Sequence, residues 1–101
     1  EIDTGVSGKA AMSIAKKLAV IAKNKQVICI THLPQLTAMA DNHYVIEKST
    51  KDNRTISNIT RLSYDESVGE LARMLGGSSI TEAVVSNAKE LKNMAQAAKH
   101  N

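Results

Sequence analysis

Tyr44 and Tyr64 are the only aromatic residues in this 101-residue chain, which has neither Trp nor Phe. A core without large rings must be filled by aliphatic side chains and Ala, a composition that suits closely packed helices. It also leaves little flat surface on which nucleobases could stack. The remaining composition, 43% hydrophobic and 23% charged, is that of a globular chain, and this length fits one small domain. No apolar run approaches the roughly 20 residues of a membrane-spanning helix, and no targeting segment is visible. The single Cys29 leaves no partner for a disulfide and no cysteine cluster for a metal. Set within the apolar run 27–30, its thiol is expected to be buried and inert. The net charge of +3 is a mild bias, with thirteen basic residues read as spread among ten acidic ones.

The order of elements follows from periodicity and punctuation. Ser7 is placed to cap a helix over about 8–23, with Ala11, Ile14, Leu18 and Ile21 on its buried face and most lysines elsewhere. Gln26 to Thr31 reads as a strand covered on both faces, as in a parallel sheet. Pro34 cannot continue that strand but suits the first turn of a short helix over about 33–40. Alternation over 43–50 and 54–62 around Lys51-Asp52-Asn53 predicts a β-hairpin with a polar tip and one half-exposed face. Ser63 with Glu66 three residues on has the form of a capping box, opening a helix over about 64–75 that Gly76-Gly77 stops. A last helix is predicted over about 80–98, capped by Ser79 or Thr81, with a frayed tail.

Two strand tips carry the chemistry. Glu1-Ile2-Asp3-Thr4-Gly5-Val6-Ser7-Gly8 has the form of a strand end delivering a carboxylate into a crevice, followed by a Gly-containing turn into a helix. Ile30-Thr31-His32-Leu33-Pro34-Gln35 places a His at the tip of the second strand, and open α/β sheets assemble phosphate chemistry in that way. In this order and spacing the two tips resemble the RecN family of bacterial DNA-repair ATPases, relatives of the SMC proteins and ABC ATPases. The first looks like the end of a Walker B motif running into the D-loop, the second like the H-loop or switch. Met39-Ala40-Asp41-Asn42-His43-Tyr44 with Ile46-Glu47-Lys48, and Glu70-Leu71-Ala72-Arg73-Met74-Leu75-Gly76, are also similar to that family.

The resemblance implies the C-terminal part of an ABC/SMC-type P-loop NTPase head: α/β, with short parallel strands, flanking helices, a β-hairpin and C-terminal helices. It implies Glu1 as the catalytic carboxylate that positions the water attacking the γ-phosphate, a task set by the alignment that phosphoryl transfer demands. His32 would donate to a γ-phosphate oxygen. Thr4, Gly5, Val6 and Ser7 would form the D-loop at a neighbouring subunit, and Gln35 follows the switch His in the family pattern. Ser7 stands where ABC ATPases usually carry Asp, so a role of that aspartate across a dimer does not transfer.

The same resemblance implies ATP and Mg2+ as cofactors, DNA as partner, a homodimer through the ATPase heads, no membrane, and a bacterial cytoplasmic, nucleoid-associated location. Gly5-Val6-Ser7-Gly8-Lys9-Ala10 does not form a P-loop, because the required spacing of Gly before Gly-Lys-Ser/Thr is missing. The P-loop, Q-loop and signature motif are expected upstream with a coiled coil, so this stretch alone is expected to be inactive. His43 and His100 are read as ordinary surface or satisfied core residues. The alternatives are a non-enzymatic DNA- or protein-interaction module, which a clustered basic face would favour, and a head fragment of another SMC/ABC ATPase.

Overall fold

The computed structural model describes residues 7–99, which form four helices and one hairpin. Helix α1 (Gly8–Ala22) starts where Ser7 turns extended and its hydroxyl accepts from the Ala10 amide at 3.3 Å. Helix α2 (Pro34–Met39) has Pro in its first turn, where a missing N–H costs nothing. Strands β1 (Tyr44–Lys51) and β2 (Arg54–Arg61) pair antiparallel, with Tyr44 opposite Arg61 and Lys51 opposite Arg54. Helices α3 (Tyr64–Gly76) and α4 (Glu82–Lys99) complete the chain.

Alanine sets the packing. Six of the ten buried apolar side chains among the described residues are Ala11, Ala15, Ala38, Ala72, Ala88 and Ala95, with Leu36, Met39, Val68 and Leu71 between them. Helix α2 lies centrally, touching α1, α3 and α4, while α4 also packs on α1 and α3. Leu71 is fully buried at that junction, and a side chain of its size contributes about 1.5–3 kcal/mol of transfer free energy.

Local chemistry fixes the boundaries. Both halves of the capping box at α3 form, Glu66 N donating to Ser63 Oγ at 3.2 Å and Ser63 N to Glu66 Oε1 at 2.9 Å. Gly77 closes α3 at φ +62° and ψ −122°, a conformation that side chains with a Cβ resist. A Cβ on Gly76 would come within 3.0 Å of Val84, so α3 and α4 meet backbone to side chain there. At α4 the cap is Thr81, whose hydroxyl accepts from the Val84 amide at 3.2 Å. The hairpin tip is a two-residue turn with positive φ at Asp52 and Asn53, the hand that matches strand twist.

Several expectations change. Residues 26–30 form no strand and no parallel sheet is present among the described residues; the sole sheet is the two-stranded hairpin. A strand exists only through its ladder, and β1 and β2 spend their pairing on each other. The segment is therefore largely uncovered, with Ile28 84% and Ile30 64% exposed. Cys29 is exposed with it, not buried. The hairpin packs against no other element and is exposed on both faces, so its alternation buries no face. On α1 the covered stripe is centred on Ala11 and Ala15, and Ile21 lies at the exposed end. Helix α4 runs on to Lys99, which donates to Asp41 Oδ1 at 2.9 Å and ties that end to the α2–β1 linker.

Candidate functional site

Of the residues singled out from the sequence, Glu1, Thr4, Gly5 and Val6 lie outside the described residues. Ser7, His32 and Gln35 lie inside, and the packing of α1 on α2 brings two of their neighbourhoods together. A Cβ added to Gly8 would sit 3.1 Å from Gln35 Nε2, so the start of α1 and the first turn of α2 approach as closely as a glycine allows. The Gln35 Oε1 atom is buried there without a hydrogen-bond partner among the described residues, an arrangement that costs free energy unless another group completes it.

His32 is exposed on the segment leading into α2. The Thr31 hydroxyl accepts from the Leu33 amide at 3.0 Å, spanning His32. Thr37 returns a hydrogen bond to Leu33 O at 3.1 Å. The amino end of the 15-residue α1, beside Gln35, carries the positive end of the helix dipole and favours an anion over a cation. No group of three or more His, Cys, Asp or Glu side chains able to hold a metal occurs among the described residues.

A second polar cluster went unread in the sequence. Ser67 Oγ lies 2.7 Å from His43 Nδ1 and accepts from Lys92 Nζ at 3.0 Å, while the ammonium sits 5.6 Å from the centre of the Tyr64 ring. Burial, then Lys92, pushes the His43 pKa down against the opposing pull of Glu70. Burial, then Lys99, pushes Lys92 down. With Lys92 donating to it, the Ser67 hydroxyl can donate its own hydrogen bond to the unprotonated Nδ1 of a neutral His43. Ser67 is only 2% exposed, so this knot ties the α2–β1 linker to α3 and α4 and offers no open nucleophile. It faces a shallow hollow of about 570 Å³ rimmed by Arg61, Tyr64 and Gln96. The reading of His43 as a satisfied residue stands. The one sequence signal for the cluster was Lys92 on the Ala88–Ala95 stripe of α4, where a charge is out of place.

Electrostatics elsewhere are local. The Ser63 backbone amide, and then its hydroxyl, hold the Glu66 carboxyl below its usual range. Glu70 pairs with Arg73 one turn on and raises the guanidinium pKa. No helix among the described residues is long and apolar enough to cross a membrane.

Comparison with known proteins finds no matching family model. Among curated proteins, the DNA repair protein RecN of Bacillus subtilis is 46% identical over 99 residues, 98% of this chain and 17% of that protein. RecN of Halalkalibacterium halodurans is 45% identical over 101 residues, all of this chain and 18% of its own length. RecN of Haemophilus influenzae is 44% identical over 94 residues, 93% of this chain and 17% of its own. The chain thus spans about one-sixth of the relatives it matches.

Proposed function

The chain is a RecN-type sequence over nearly its whole length, and we propose that it forms the C-terminal part of an ATPase head acting in recombinational repair of DNA double-strand breaks. The observation that carries this reading is the meeting of Gly8 with Gln35, because it juxtaposes the D-loop-like and switch-like stretches. In this reading Glu1 orients and polarises the attacking water, and His32 donates to the γ-phosphate. Thr4, Gly5, Val6 and Ser7 meet the opposing head of a homodimer, and Gln35 supports the switch. The amino end of α1 beside Gln35 supports a phosphate in this reading. Mg2+ and most contacts to ATP are then supplied by the P-loop and related motifs that the family resemblance implies upstream. When bound, that ion neutralises charge on the transferred phosphoryl group.

The test uses the full-length protein. Glu1→Gln should nearly abolish ATP turnover while leaving nucleotide Kd within a few-fold, since the amide keeps the shape and loses the charged acceptor. His32→Ala should lower kcat by about 10²–10³, the cost of removing one donor from an oxyanion-type site. Near-native turnover in Glu1→Gln removes that residue from the mechanism.

A further inference from the structure

The basic residues are not spread evenly, contrary to the first reading of the composition. From Ser7 to Ala40 the chain carries Lys9, Lys16, Lys17, Lys23 and Lys25 and no Asp or Glu; from Asp41 to Lys99, eight Lys or Arg balance eight Asp or Glu. The positive excess of the described residues therefore resides on α1 and the loop that follows it. All five lysines are exposed, and none meets a carboxylate within ion-pair distance among the described residues.

Their spacing makes a surface. Lys9, Lys16 and Lys23 recur every seven residues, which places them on one ridge about 10 Å apart along the helix. Lys17 and Lys25 flank it, and the exposed positions among them include Ala10, Ser13, Val20, Ile21 and Asn24. The opposite stripe, Ala11 and Ala15, is already buried in the core. That burial argues against a lipid surface, because a membrane-seated helix needs its apolar side free to insert.

We infer that the lysine ridge of α1 is a docking surface for the phosphodiester backbone of duplex DNA. A duplex presents one negative charge per roughly 1.7 Å of axis, so a row of solvated ammonium groups without a paired carboxylate among the described residues complements it over several phosphates. Lysine is a point charge, and α1 holds no Arg fork or aromatic ring, so the contact positions DNA and reads no sequence. The inference rests on the DNA-repair reading above and locates one contact surface within it.

The experiment measures anisotropy of a labelled 30-base-pair duplex with full-length protein over a series of salt concentrations. The triple variant Lys16→Gln, Lys17→Gln, Lys23→Gln is compared with a control of equal charge change, Lys48→Gln, Lys51→Gln, Lys89→Gln. Each lost phosphate contact should reduce the slope of log K against log salt by about 0.9, so the α1 triple should flatten it by two to three and the control by much less. Circular dichroism melting at the native temperature confirms that the α1 variant is folded. An unchanged slope in the α1 triple, or equal flattening in the control, overturns the assignment while leaving DNA binding by the protein intact. Failure of the native protein to bind the duplex at all overturns both this surface and the DNA side of the proposed function. Loss of binding to phosphatidylserine vesicles with undiminished duplex binding would assign the ridge to a membrane and also overturn it.

Discussion

Lys92 is 8% exposed and hydrogen-bonded to a hydroxyl, with its charge uncompensated by any carboxylate among the described residues. Its folded pKa is depressed from 10.5, so below 10.5 the unfolded chain takes up a proton more readily than the folded one. Stability should therefore rise with pH through the alkaline window below 10.5 and level off above it. His43 repeats the pattern lower down: with its folded pKa depressed from 6.5, stability is fully present above 6.5 and falls as pH drops below that value. Urea unfolding from pH 5 to 10 should show both rises. Lys92→Met should remove the alkaline one and raise the midpoint at pH 7, because a buried charge is replaced by an apolar chain of similar length. Gly77→Ala should lower stability by about 1 kcal/mol or more, since its backbone angles are those a Cβ disfavours.

At the scale of elements, local punctuation decides the boundaries and long-range pairing decides what is covered. Ser63→Ala removes an N-cap acceptor and should cost about 1 kcal/mol in thermal unfolding. The same change should let the Glu66 carboxyl titrate closer to its usual range, which carbon-detected NMR can read. Helix starts at Ser7 and Ser63, the Gly77 stop and the Asp52-Asn53 tip were legible because each is encoded within about four residues. The apolar run 26–30 was not: its composition describes a covered strand, but covering requires partners that sequence proximity does not supply. Cys29, carried on that run, should react with a thiol-specific reagent in the native state about as fast as in urea. Slow native labelling would mean the segment is protected.

For the molecule as a whole, the division is between a helical cluster and a hairpin that packs on nothing else. A radius of gyration of 14.4 Å, against about 12.7 Å for a compact chain of this length, reflects that projection. Leu71→Ala should cost about 2–5 kcal/mol, because it removes from α3, which packs on α2 and α4, the largest fully buried side chain among the described residues. Amides of β1 and β2 should exchange with solvent faster than those of α3, and hydrogen exchange resolves the two. The candidate site was half legible for a related reason: strand tips announce themselves by motif, whereas the meeting of Gly8 with Gln35 and the knot of His43, Ser67 and Lys92 arise only once helices pack.

The alanine core has a mechanical consequence. Alanine has no side-chain torsion, so an interface built on it has no rotamers with which to absorb a displacement. Leucine or methionine between two helices acts as a cushion; a methyl group acts as a hard stop. Ala11 and Ala15 of α1 are such hard stops, while Leu36 and Met39 of α2 keep the torsions that yield, so the core is stiff on the α1 side and compliant on the α2 side. Displacing α1 therefore asks the α2 side chains to repack before its own can.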